Sequence, residues 1–364
     1  MRLKLFHVLA TAFLLFAPAG CTTVDGIGGY SGSDRANMPV PSKLVSAMKA
    51  KGMRPTDPVM VRIFKKESEL ELWKRDNNGK FSLLKIYPMC RWSGQLGPKK
   101  SEGDRQAPEG FYHVSQSMLN PESDYHLSFN LGFPNSYDSA FGRGGTALMV
   151  HGACTSSGCF ALTNEGVGEI YAVMRDALKA GQDQVQVQSF PFRMTPENMA
   201  YHRANPNIEF WRNLEEGADY FEATRLPPKV TVCGKRYNFN VQFPESANVS
   251  AGVACPPLTS DPVTTAAKER KHDGHQTKIA ALSQNSGAAF ILKYADGGMH
   301  PFFQRVLREK GAEVLKKRTS IDNAPVSRPK EALLAPQEIP AAPANAEIPL
   351  CSKNAALASD CGPQ

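Results

Sequence analysis

His151 and Cys159 stand eight positions apart, separated by the run Gly152-Ala153-Cys154-Thr155-Ser156-Ser157-Gly158. A loop of such small residues can fold back and lay an imidazole beside a thiol. A free thiol has a pKa of about 8.5 and is mostly neutral near pH 7, so it becomes a good nucleophile once an adjacent base takes its proton. Cys159 suits that role better than Cys154, because Gly158 before it lets backbone approach closely and aims amide N–H groups at a developing oxyanion. Gly152 supplies the backbone that positions His151. The chemistry expected of the pair is that of a nucleophile with its base, Cys159 as nucleophile and His151 as proton acceptor and donor. Two other readings compete. Buried cysteines are usually inert small hydrophobes, and His151, Cys154 and Cys159 could be three zinc ligands. No fourth ligand stands nearby, however, and the spacing lacks the paired Cys-x-x-Cys form of a structural site.

These residues need a rigid frame. Residues 147–150 read as an apolar strand that carries His151 to its end, and residues 163–180 as a helix that anchors the cysteine loop. Thr163 can cap that helix, Val167, Ile170, Tyr171, Met174, Ala177 and Leu178 fall on one face, and Gly181 ends it. Alternation at 59–64 and 81–87, with the turn Asn77-Asn78-Gly79 between, predicts antiparallel strands. Further strands are expected at 87–92, 110–115, 125–131 and 185–188. A helical region starting at Thr195-Pro196 has Trp211 and Leu214 inward, and a hairpin turns at Gly234-Lys235. Residues 94–106 read as a loop bordering a groove; its Lys99, Lys100 and Arg105 are expected to be a solvated face, with carboxylate binding as the alternative. His126, among Tyr, Leu and Phe, reads as structural.

His151-Gly152 followed by Ser156-Ser157-Gly158-Cys159 resembles the active-site signature of the L,D-transpeptidase (YkuD-type) catalytic domain. Ala107-Pro108-Glu109-Gly110-Phe111-Tyr112 is similar to that family's Pro-x-Gly-x-Phe segment. Gly94-Gln95-Leu96-Gly97-Pro98-Lys99, Phe133-Pro134-Asn135 and Tyr294-Ala295-Asp296-Gly297-Gly298 resemble its YafK-like branch. The resemblance spans residues 57–300. The commoner pattern reads Ser-His-Gly-Cys with Asn or Arg two residues on, where this chain has Ser157 and Ala161. The resemblance implies a mixed α/β, β-rich fold, an antiparallel sheet or sandwich with packed helices. It also implies that Cys159 acylates on peptidoglycan stem peptides and needs no metal or organic cofactor. The acceptor would be a stem amine, the lysine of a peptidoglycan-linked lipoprotein, or water; with water, the enzyme would be an L,D-carboxypeptidase or amidase. A rival reading is a non-catalytic lipoprotein that binds peptidoglycan.

Length and composition are those of a globular core with a soft periphery: 364 residues, 41% hydrophobic, 29 Gly and 27 Pro. Residues 1–20 read as a secretory signal, with Arg2 and Lys4 before an apolar run too short to span a bilayer. Pro18-Ala19-Gly20-Cys21 resembles a bacterial lipobox, which would lipidate Cys21, and Thr22 in place of Asp would direct the product to the outer membrane of a Gram-negative envelope. The net charge is +7, and about +5 once a signal segment with Arg2 and Lys4 is removed, which suits an anionic envelope polymer; no basic patch interleaved with aromatics argues for nucleic acid. Residues 21–56 are expected to be a tether with at most a helical turn or two, 57–258 the catalytic domain, 259–318 a basic helical extension, and 319–364 a disordered Pro/Ala-rich tail. Export permits disulfides; proximity pairs Cys233 with Cys255 and Cys351 with Cys361, other pairings with Cys90 and Cys154 staying open.

Overall fold

A computed structural model describes residues 32–285, 289–319 and 324–341. The strands are β1 (Val59–Phe64), β2 (Glu69–Arg75), β3 (Phe81–Pro88), β4 (Arg91–Trp92), β5 (Gly110–Val114), β6 (Leu119–Asn120), β7 (Ser128–Asn130), β8 (Met149–His151), β9 (Phe160–Ala161) and β10 (Val185–Phe190), followed by β11 (Val230–Cys233), β12 (Arg236–Phe239), β13 (Val241–Gln242), β14 (Thr259–Ser260), β15 (Phe290–Lys293) and β16 (Gln337–Pro340). The helices are α1 (Gly32–Asn37), α2 (Ser42–Ala50), α3 (Ser136–Ala140), α4 (Asn164–Lys179), α5 (Pro196–Tyr201), α6 (Ile208–Thr224), α7 (Pro262–Asn285), α8 (Pro301–Thr319) and α9 (Pro329–Ala332). The fold is mixed α/β, built on two five-stranded sheets in the orders β3-β2-β1-β10-β5 and β4-β9-β8-β7-β6. Each sheet is antiparallel except for one parallel pair, β1 with β10 and β8 with β9.

Helix α4 ties the sheets together, touching β1 of one and β7 and β8 of the other. The Thr163 side chain accepts from Gly166 N and caps the helix, and Val167, Ile170, Tyr171, Val173, Met174 and Ala177 are buried in the common core. Periodicity alone identified this face. Strand β2 was not among the expected elements: its Leu70, Leu72 and Trp73 alternate with Glu69, Glu71 and Lys74, but Glu71 and Lys74 are themselves buried, Glu71 accepting from Trp73 Nε1 at 2.7 Å.

Two expectations are corrected. Residues 32–53 are not a bare tether, because α1 and α2 place Ala36, Val40, Leu44, Met48 and Met53 in the main core. The apolar residues there are few, but at 40, 44 and 48 they recur at helical spacing, which suffices once a core receives them. Met48→Ala is therefore expected to lower stability by about 2–5 kcal/mol in chemical denaturation, whereas a tether residue would change nothing. Residues 324–341 of the expected disordered tail are also ordered: α9 packs Ala332 against α8, and β16 pairs with β15 from Lys293 opposite Gln337 to Phe290 opposite Pro340. A strand edge supplied by β15 gives a Pro-rich segment the backbone partners it lacks by itself. The structure joins Cys233 to Cys255, with Cα atoms 5.0 Å apart. Cys90 and Cys154 are buried free thiols. The signal segment, Cys21, Cys351 and Cys361 lie outside the described residues.

Candidate active site

Strands β8 and β9 are parallel neighbours joined only by residues 152–159, far fewer than a usual parallel crossover. The connection works because both strands are so short, and because the backbone turns sharply at Ala153 (φ 62°) and Gly158 (φ 127°). At Gly158 a side chain would be strained by that φ and would press on Leu148 Cδ1 at 3.2 Å. At Gly152 a Cβ would meet Asn164 Oδ1 at 2.5 Å and the Tyr125 carbonyl at 2.7 Å, so only glycine fits. Both glycines named from the sequence are thus fixed by space.

Val150 pairs with Phe160 and His151 with Ala161, which sets Cys159 opposite Met149. His151 closes β8 and Cys159 stands in the bend just before β9, so the short connection brings the thiol alongside the strand that carries the imidazole. The imidazole and thiol are not hydrogen-bonded to each other. Cys159 Sγ accepts from Met149 N at 3.4 Å and lies 3.6 Å from the Ala147 carbonyl, toward which it donates. His151 Nδ1 donates to the carbonyl of Gly152, which leaves Nε2 as the ring's free acceptor. Tyr125, on the outside, lays its ring over the imidazole at 4.8 Å and 30°. His151 is buried and Cys159 half-buried.

The electrostatics keep both groups neutral at rest. Burial lowers the His151 pKa to about 4, against the smaller opposing effect of the Gly152 carbonyl. Burial also pushes the Cys159 thiol up, opposed by the Met149 N–H and the charge of Lys99. The resting site is a thiol and a neutral imidazole, not a preformed ion pair.

The cysteine loop is clamped from three directions. Ser156 Oγ donates to the Cys159 carbonyl at 2.7 Å and lies 2.9 Å from Ser93 Oγ, while Ser156 N donates to Ser327 Oγ at 2.9 Å. Arg105 donates to Ser157 Oγ at 2.8 Å and to the Ser156 carbonyl at 3.0 Å, and its guanidinium is paired with Asp296 at 2.7 Å. Asp296 also pairs with buried Arg91 at 3.1 Å. Although burial acts upward on it, Arg105 and Arg91 hold its carboxyl below the ordinary range. Residues 294–298 reach the site because Gly298 forms an antiparallel bridge with Trp92 and Tyr294 packs edge-on to the Trp92 ring at 5.2 Å.

The solvated-face reading of residues 99–105 is corrected for two residues. Lys99 is buried and ion-paired with Asp104 at 2.5 Å, and Arg105 is committed to Asp296 and the cysteine loop. Sequence reading missed Tyr125, Ser327 and the Arg105–Asp296 pair, all distant in sequence from Cys159; the motif at 294–298 was the one available signal. Cys154 packs with Cys90, Met299 and Phe303 in a small buried cluster. Among the described residues, no metal-ligating group of three forms around Cys159. Arg105→Ala is expected to lower turnover of an acyl substrate by roughly 10–100-fold through a loosened loop, with the melting temperature moving by only a few degrees because Asp296 keeps Arg91. Paired kcat/KM and calorimetric measurements check it.

No protein-family model matches the chain. It is 47% identical over 180 residues to "Putative L,D-transpeptidase YafK" of Escherichia coli K12, an overlap of 50% of this chain and 73% of that protein, and matches the Escherichia coli O157:H7 counterpart to the same extent. Among solved structures, the helical cell shape determining protein Pgp2 from Campylobacter jejuni overlaps 69% of this chain and 80% of its own at a TM-score of 0.31 and 15% identity. Bd1075 of Bdellovibrio bacteriovorus overlaps 38% of this chain and 49% of its own, at 0.26 and 19%. Structural similarity that low bears no functional weight.

Proposed function

Because the chain belongs to the YafK-type L,D-transpeptidase family, we propose that it is a cysteine acyl-transfer enzyme of the bacterial cell envelope that acts on peptidoglycan stem peptides. The observation that supports this reading is the short connection between parallel β8 and β9, which sets Cys159 Sγ against the backbone of the strand ending in His151, whose ring proton is committed to Gly152 with Nε2 left free. A change of Cys159 rotamer away from Met149 and Ala147 is the movement that would bring sulfur toward Nε2.

During attack the thiol proton passes to His151 Nε2 as sulfur bonds to the carbonyl carbon of the third-position diamino acid. The amides around Gly158 and Cys159 stabilise the oxyanion; the Gly158 N–H bond to Ser156 Oγ is long, 3.4 Å, and easily exchanged for a stronger acceptor. The tetrahedral adduct collapses by breaking the C–N bond to terminal D-Ala, whose amine takes the proton from Nε2. An amine of another stem, the lysine of an envelope lipoprotein, or water next attacks the thioester, loses its proton to Nε2, and Cys159 recovers the thiol. Lipidation at Cys21 would hold the enzyme at the outer membrane. Among the described residues no helix is long and apolar enough to cross a membrane.

The test is incubation with a disaccharide tetrapeptide followed by intact-mass and peptide mass spectrometry. Loss of D-Ala together with a thioester on Cys159 is the expected result; neither appearing with folded protein overturns the reading. The rival, a non-catalytic peptidoglycan-binding lipoprotein, draws support from the thiol's purely backbone partners, and predicts bound but unaltered tetrapeptide.

A further inference from the structure

We propose that the interface between α6 and α7 binds one divalent transition-metal ion, zinc by its ligand chemistry, through Glu215 and Asp219 of α6 and His275 of α7. Glu215 and Asp219 are four residues apart and so share one face of α6. His272 and His275, three apart on α7, face them. One ligand atom each from Glu215, Asp219 and His275 lies within 4.8 Å of the others. His275 Nδ1 is 3.1 Å from Asp219 Oδ1 and 3.8 Å from Glu215 Oε1.

A second observation points to a ligand in that space. Glu215 is fully buried and its Oε1 is enclosed without a hydrogen-bond partner, while His275 Nδ1 faces Asp219 Oδ1. Such groups are rare in native interiors, and each leaves a lone pair or proton unsatisfied at a cost. A cation would take the Oε1 lone pair. The remaining atoms are held as metal ligands usually are: Gln276 donates to Glu215 Oε2 at 3.1 Å, and His272 Nδ1 lies 2.9 Å from Asp219 Oδ2.

Mixed imidazole and carboxylate donors in a compact set suit zinc, whereas magnesium and calcium prefer oxygen throughout. Asp219 and His275 also line a cavity of about 270 Å³, together with Glu222, Arg62, Arg193 and Lys271. Lys271 Nζ is 3.2 Å from His275 Nε2. Metal binding at Nδ1 requires the ring proton on Nε2, so Lys271 would turn away from that nitrogen. The benefit is to α7, a 24-residue helix with no buried residue, which has little apolar surface to hold it on the body.

The experiment uses the full chain without a histidine tag, stripped with chelator and dialysed, then titrated with zinc chloride by calorimetry and with cobalt chloride by absorbance. One equivalent of zinc is expected, with a melting temperature raised by a few degrees and cobalt d–d bands. His275→Ala and Asp219→Asn are each expected to weaken zinc binding at least about 100-fold, with far-ultraviolet circular dichroism unchanged and Cys159→Ala binding like the parent. Absence of binding, undiminished affinity in the two variants, or affinity lost in Cys159→Ala would each overturn the assignment. Variants that unfold are replaced by Gln276→Ala, whose loss of the bond to Glu215 is expected to weaken zinc about 10-fold.

Discussion

Cys159→Ala is expected to abolish release of D-Ala from a tetrapeptide stem, lowering turnover by at least about 10⁴-fold, with no thioester in the intact mass. The size follows from the step removed: without sulfur no covalent intermediate forms, and only binding and oxyanion stabilisation remain. The variant should stay folded. The side chain is half-buried, and its loss takes from Met149 N only a 3.4 Å contact with sulfur, worth about 1 kcal/mol at most. Unchanged turnover would remove the proposed chemistry outright. Slow alkylation of resting Cys159 is equally expected, since burial raises its pKa and no imidazolium stands beside it.

His151→Gln is expected to cost about 10³-fold or more in kcat/KM, and the parent's pH dependence should show why. A buried imidazole with a pKa near 4 remains a neutral base well below the usual imidazole range, so the acid limb of kcat/KM should fall near pH 4 and not near 6.5. Stability obeys the same linkage. The unfolded ring binds a proton below about pH 6.5 and the folded ring only below about 4, so between these values the unfolded state holds more protons. Stability therefore falls as pH drops through that window, by on the order of 3 kcal/mol in all, and His151→Gln should flatten that part of the curve in denaturant titrations.

The helix at 164–179, the hairpin at Gly234-Lys235 and the pairing of Cys233 with Cys255 were legible in the chain because each is a local matter: a capping residue, a 3.6-residue period, a turn dipeptide, two cysteines close in sequence. Strand β2 and the packing of residues 32–53 were not, because their partners lie far away and buried Glu71 and Lys74 blur the apolar pattern.

At the candidate site, types and spacing alone determined which residues could act: a cysteine after glycine, a histidine eight residues before it, and a loop between them too small to do anything but turn. Tertiary structure decided everything that depends on surroundings. It pointed the histidine Nδ1–H at the Gly152 carbonyl, buried the imidazole and half-buried the thiol, laid Tyr125 over the imidazole, and fastened the loop to Ser327 and to Arg105, itself paired with Asp296. A residue's identity is carried by the chain, but its charge state and freedom to move depend on the solvent excluded and the dipoles brought near, and those come from segments that only folding assembles.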